Sequence, residues 1–276
     1  MTITYEGTLV ADLSFPEAPR WYANTLWFSD FFLKKVYRAE PNGSVQVIAD
    51  VPNQPSGLGW LPQGDLLVVS MLDRKVLRVS GNGISTHADL SGLVSSPCND
   101  MTVDAYGVAY VGNFGFDRHR GETQKATNLI RVDVDGTSSV AADGLLFPNG
   151  GVLSDDGRFM YLAESFGNQV LIFAVSADGQ LHDRKVLYHA AGFFPDGLCL
   201  DARQCVWAAD PISKHLVHLS PKGEVLRTVP LPDGRLPIAC AVGGHENNTL
   251  FVASNTGLGP SMAQKRDGRI EMFSIA

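Results

Sequence analysis

One pattern constrains this chain more than any other. A proline followed by a small or polar residue, and then by a short apolar run, recurs six times. The openings are Pro16-Glu17-Ala18, Pro55-Ser56-Gly57, Pro97-Cys98-Asn99-Asp100, Pro148-Asn149-Gly150, Pro195-Asp196-Gly197 and Pro237-Ile238-Ala239. Consecutive prolines lie 39, 42, 51, 47 and 42 residues apart. Strand-rich units of that length match one four-stranded blade of a propeller. Turn dipeptides such as Asn42-Gly43, Asp135-Gly136, Asp156-Gly157 and Asp178-Gly179 separate the apolar runs and supply the positive φ of tight hairpins. No helical periodicity competes with this reading.

The two ends complement each other. The last unit stops after its third strand, Arg269 to Ile275, while an unassigned strand, Thr4 to Val10, precedes the first opening. An N-terminal strand joining the last blade closes the ring and covers its free edges. The expectation is therefore an all-β, six-bladed β-propeller with four antiparallel strands per blade, residues 1–276 forming a single domain. A stacked two-sheet sandwich explains neither the six openings nor the missing strand.

Composition narrows the partners. Hydrophobic residues make up 45% and charged residues only 18% of the 276, which excludes disorder. The net charge of −7, with no basic block, argues against nucleic acid or an anionic membrane as partner. No signal peptide and no membrane-length apolar stretch is visible, and the four cysteines read as buried free thiols. A cytoplasmic protein, monomeric or weakly self-associating, is expected to act on a small molecule.

Propeller topology brings the openings together around one mouth of the central channel. Aligning the units by their first hairpin gives a ring of Glu17, Ser56, Asn99, Asn149, Asp196 and Ile238. Two carboxylates facing one another repel unless one keeps a proton or a cation lies between them. Oxygen donors with two formal charges suit Ca²⁺ first, with Mg²⁺, Mn²⁺ or Zn²⁺ as alternatives; the absence of histidine argues against zinc. Asp and Asn also favour turns, so capping of strand starts is the competing reading. The second strands end on the same face at Asp30, Asn113, Glu164, Asp210 and Asn255, an expected outer polar shell that orients ligands or touches substrate. An insertion from Gly112 to Asn128 is a candidate lid, with Phe114 and Phe116 as pocket walls and Arg118, His119 and Arg120 as anion contacts. A shorter loop, Gly257 to Asp267, occupies the corresponding place in the last unit. Serine-hydrolase elbows and phosphate-binding glycine loops are missing. His215 and His218, three apart on a strand, face opposite sides and make a poor metal pair.

The stretches Glu17-Ala18-Pro19-Arg20-Trp21, Asn99-Asp100 with Val103-Asp104, Pro148-Asn149-Gly150, and Pro195-Asp196-Gly197 with Asp201 resemble the gluconolactonase, regucalcin and luciferin-regenerating-enzyme family. That resemblance implies a divalent metal held by Glu17, Asn149 and Asp196, with Asp196 doubling as general base and Asn99 beside the metal touching substrate. Asn113 is a further candidate substrate contact. The implied activity is metal-dependent hydrolysis of a sugar lactone or other small lactone. An aryl esterase or phosphotriesterase of the same fold, or a non-catalytic calcium-binding propeller, are the alternatives. Two positions depart from the family pattern. Ala18 replaces a usual glycine, and Pro97 stands where its sugar-lactone hydrolases tend to carry a substrate-binding arginine.

Overall fold

A computed structural model describes residues 2–116 and 121–275. These residues form six four-stranded antiparallel sheets arranged as the blades of a propeller. The inner strands are Pro16–Tyr22, Pro55–Trp60, Cys98–Val103, Pro148–Leu153, Leu198–Leu200 and Leu236–Gly243. The sixth sheet takes its outermost strand, Ile3–Leu13, from the N-terminus, which pairs antiparallel with Gly268–Ile275. The turn glycines Gly43, Gly136, Gly157 and Gly179 have φ of 84°, 89°, 69° and 77°, as their hairpins require. Helical structure among the described residues is limited to short 3₁₀ turns, and no helix is long and apolar enough to cross a membrane.

The core lies between blades. Each of the six blade–blade contacts holds its own apolar cluster, for example Leu67, Val69 and Val76 against Met101, Val111 and Ile130. Leu26 and Phe28 pack likewise against Phe251 and Ile270 across the closing seam. Inner and second strands are therefore covered on both faces and read as continuous apolar runs, as in Leu66–Ser70, where every residue is buried. Outer strands such as Val45–Asp50 are mostly exposed. Truncating one buried ring, such as Phe28 to alanine, costs about 3–5 kcal/mol.

The openings are small for a steric reason. After the ring residue comes Ala18, Gly57, Gly150, Gly197 or Ala239 in five of the blades. A Cβ on Gly57 would sit 2.2 Å from the Met101 nitrogen, and one on Gly197 2.3 Å from the Ala239 Cβ. Neighbouring inner strands approach this closely because they also hydrogen-bond, Gly150 N–H to Asp196 O (3.2 Å) and Gly197 N–H to Ile238 O (2.9 Å). The third blade breaks the rule with Asp100, and that exception bears on the site. All four cysteines are buried and free; the sulfurs of Cys199 and Cys240 lie 3.3 Å apart on adjacent inner strands.

Candidate metal centre and active site

The inner strands begin at one mouth of the channel, and that mouth opens into a cavity of about 560 Å³. Glu17, Asn99, Asn149 and Asp196 all line it. Glu17, Asn99 and Asn149 are buried, whereas Asp196 keeps part of its surface open to the cavity. Of the other ring positions, Ser56 is fully buried and its Oγ finds no partner among the described residues. Ile238 packs into an apolar cluster with Phe15, Leu236 and Met262.

Hydrogen bonds fix the ring's orientation. Asn99 Nδ2 donates to Asn149 Oδ1 at 2.8 Å. Asn149 Nδ2 donates in turn to Ser165 Oγ at 3.1 Å, and Ser165 Oγ donates to Pro195 O at 2.6 Å. The Ser165 hydroxyl spends its proton on Pro195 and so accepts from Asn149, which sets the Asn149 oxygen toward Asn99. Glu17 Oε2 accepts the Ala18 N–H at 3.2 Å. Ala18 adopts a φ of 47°, a left-handed conformation that glycine occupies without cost and alanine does not.

A third carboxylate lies close by. Asp100 Oδ1 accepts from Arg20 Nη2 at 2.7 Å and from the Met101 N–H at 2.8 Å. Arg20 also donates to Met101 O at 2.8 Å, so one guanidinium ties the first blade to the third. Burial, then the charges of Asp196 and Asp100, push the Glu17 carboxyl well above its ordinary range. Burial and the Asp100 charge lift Asp196 to about 8, although the Asn149 amide acts in the opposite direction. Both carboxyl groups are thus driven toward the protonated form because charging them in this enclosure is costly.

Those features suit a hard divalent cation. The donors are oxygens, and a cation removes the repulsion between the two carboxylates. Glu17, Asn149 and Asp196 are the residues that could hold it.

The outer polar shell has a different job. Asp30 accepts four backbone N–H groups, from Ser14 (2.7 Å), Phe15 (3.1 Å), Phe32 (3.1 Å) and Leu33 (3.0 Å). Asp210 accepts from Ile212 and Ser213, and Glu164 from Leu146. Asn113 lies fully buried outside the cavity lining, bonded to Ser96, Thr127, the Gly115 N–H and the Asn128 carbonyl. These last residues of the second strands anchor the loops that form the cavity rim. Phe114 lines the cavity, while Phe116 is buried behind it against Phe147 and Phe166. Arg118, His119 and Arg120 lie outside the described residues.

A separate buried group, Asp201, Cys205 and His218, places ligand atoms within 4.8 Å of one another. The Asp201 carboxylate and His218 Nε2 are already engaged with each other and with backbone. Asp201 Oδ1 accepts from the Arg203 and Cys205 N–H groups at 2.8 and 3.0 Å, and Oδ2 bonds His218 Nε2 at 3.0 Å. The His218 ring stacks on Trp207 with centroids 4.0 Å apart. This is a strut between the strands of the fifth blade.

Sequence reasoning missed Ser165, the Arg20–Asp100 pair and, apart from Phe114, the cavity's aromatic walls. A signal for the walls exists. Phe15-Pro16, Phe147-Pro148 and Phe194-Pro195 place phenylalanine directly before three of the six openings.

Fold and site together define a six-bladed propeller with a buried ring of carboxylates and carboxamides at the channel mouth. A family model described as SMP-30/Gluconolactonase/LRE-like region matches residues 15–256, and the chain belongs to that family. It is 28% identical over 246 residues to a 6-deoxy-6-sulfogluconolactonase of Pseudomonas putida, covering 87% of this chain and 82% of that one. Among solved structures, it resembles a luciferin-regenerating enzyme with a TM-score of 0.82 at 18% identity, covering 99% and 95% of the two chains. It also resembles a calcium-binding protein, regucalcin, of Agrobacterium tumefaciens with a TM-score of 0.80 at 17% identity, covering 98% and 95%.

Proposed function

We propose that this protein is a metal-dependent lactonase that opens a small lactone by attack of water on its carbonyl. The observation that carries the reading is the convergence of Glu17, Asn149 and Asp196 on one cavity, with both carboxyls driven toward protonation. The similarity to a sulfogluconolactonase supports it. Calcium is the proposed ion, in keeping with the oxygen-only donors and with the calcium-binding regucalcin of the same fold.

Glu17, Asn149 and Asp196 would hold the cation, which when bound would polarise the lactone carbonyl and stabilise developing negative charge on its oxygen. Asp196 is the most exposed of the three toward the cavity, so it is the one placed to meet a water molecule. It takes the proton as the water oxygen bonds to the carbonyl carbon. The ring carbon–oxygen bond then breaks, and the departing alkoxide recovers a proton from Asp196, leaving a hydroxy acid. Asn99, held against Asn149, positions the substrate at the ring's edge. Ser165 is a positioning residue acting through Asn149.

Chelation is expected to abolish hydrolysis and added Ca²⁺ to restore it, followed by pH-stat titration of the acid released. Turnover indifferent to chelator would sink the mechanism.

A pH dependence also follows. Asp196 is lifted to about 8 in the metal-free protein, mainly by burial and then by Asp100. Its contribution to stability is complete below the ordinary carboxylate range near pH 4 and is lost as pH rises through about 8. Cation binding must expel that proton, so affinity strengthens over the same interval. The melting temperature of chelated protein should fall from pH 5 to pH 9, and the rise produced by Ca²⁺ should grow. An equal calcium-induced shift at both ends would exclude Asp196 as a ligand.

A further inference from the structure

We infer that the lactone accepted by this site carries an apolar substituent of about phenyl size and is not a polyhydroxylated sugar lactone. The inference rests on the lactonase reading and names its substrate class. It comes from what surrounds the oxygen ring. Two separate aromatic clusters flank it. In the first blade, Phe15 stacks on Phe31 with centroids 5.3 Å apart, and Phe32 meets Phe15 edge-on at 5.9 Å. Across the ring, Phe114 stacks on Phe147 at 4.7 Å; Phe166 meets Phe147 at 5.2 Å and Phe194 at 6.1 Å. A six-membered ring sets the first blade opposite the fourth, so these clusters face one another over the carboxylates. Phe31, Phe32, Phe114, Phe166 and Phe194 are each only half-buried, and all five line the cavity.

The rim repeats the chemistry. Leu72 on the second blade and Ile212 on the fifth line the cavity and are 51% and 54% exposed. Large apolar side chains held open to water around a concave site mark a surface that gains by covering.

Polar capacity among the described residues, in contrast, is nearly spent. Among the described residues the lining includes no lysine, arginine or histidine. Its polar side chains are Glu17, Gln54, Asn99, Asn149, Ser165 and Asp196. Three of these are committed to the cation, and Ser165 is engaged by Asn149 and Pro195. Gln54 and Asn99 remain to serve a ligand. A glucono-lactone brings four hydroxyls into this enclosure, and each one left unpartnered against phenyl rings costs about tenfold in affinity. Pro97, also in the lining, adds no donor. A phenyl or short alkyl group instead meets aromatic faces on either side and gains area burial and ring stacking.

Hydrolysis by the calcium-loaded full chain is to be compared across δ-valerolactone, its 6-phenyl derivative and glucono-1,5-lactone. The phenyl compound should exceed the unsubstituted ring about 100-fold in kcat/KM, chiefly through KM, with the sugar lactone the poorest. Phe166→Ala should reduce the phenyl-over-unsubstituted ratio about tenfold. Preference for the sugar lactone, or a phenyl compound no better than the unsubstituted ring, would overturn the inference while leaving the lactonase reading intact. No turnover of any of the three would overturn the lactonase reading. Calorimetry with the matching lactams, 6-phenylpiperidin-2-one and gluconolactam, then decides the pocket's preference without chemistry. Tighter gluconolactam binding overturns the inference, and tighter phenyl lactam binding upholds its account of the cavity.

Discussion

Asp196→Asn is expected to leave about a thousandth of the lactone-hydrolysing rate in a protein that folds as well as the parent. The substitution keeps shape and volume but cannot take a proton from water, and loss of a general base costs about 10²–10⁴-fold. Asp196 is the most exposed member of the proposed ligand set, whereas the only other carboxylate in it, Glu17, is buried. Structure should survive because its backbone ties, Asp196 N–H to Ala209 O (2.8 Å) and Gly150 N–H to Asp196 O (3.2 Å), do not involve the carboxyl. In metal-free protein the variant should even melt higher than the parent at pH 8, because a buried charge near Asp100 and Glu17 has been removed. Rates must be compared at saturating Ca²⁺, since the variant also loses one of two ligand charges. A rate within a few-fold of the parent would rule Asp196 out as the base.

The architecture was legible because it is written in local signals repeated six times. Proline openings, turn glycines and the unmatched strands at the two ends each follow from neighbouring residues. The ring members Glu17, Asn99, Asn149 and Asp196 came from the same repeat, and they share one cavity. Second-strand ends show the limit of that logic. Asp30 and Asn113 were correctly placed at the top of their blades, yet their side chains secure loop backbone away from the cavity lining. Polarity at a strand end is legible; whether the side chain turns inward or binds the next loop depends on three-dimensional detail. Ser165 and the Arg20–Asp100 pair lay beyond reach for another reason. Their partners sit in other blades or distant turns, Asp100 being 80 residues from Arg20, and no spacing rule links them. The irregular fifth opening is similar. Its inner strand begins only at Leu198, because Asp196 bonds backbone to Ala209 before the regular ladder starts.

Glu271→Ala should be among the most destabilising single changes away from the cavity, lowering stability by about 3–5 kcal/mol. Glu271 is completely buried on the third strand of the closing blade. Its Oε2 accepts the Tyr5 hydroxyl at 2.9 Å and the Thr8 hydroxyl at 2.7 Å, both from the N-terminal strand. Its Oε1 lies 3.2 Å from Arg235 Nε and 3.3 Å from Ser254 Oγ. Arg235 is itself buried and bonds the Ser254 hydroxyl and the Asp267 carbonyl, so it cannot follow its lost partner into water. Alanine at 271 therefore strands a guanidinium inside the protein and frees two hydroxyls along the seam that closes the ring. At about 2–4 °C per kcal/mol for a chain of this size, the melting temperature should drop by about 6–20 °C. The N-terminal strand should become the first site of proteolytic cleavage. Glu271→Gln, which keeps an acceptor for the hydroxyls and loses only the charge, should fall between the two. If Glu271→Ala melts within a degree of the parent and resists protease equally, the backbone ladder from Ile3 to Leu13 closes the ring without the clasp.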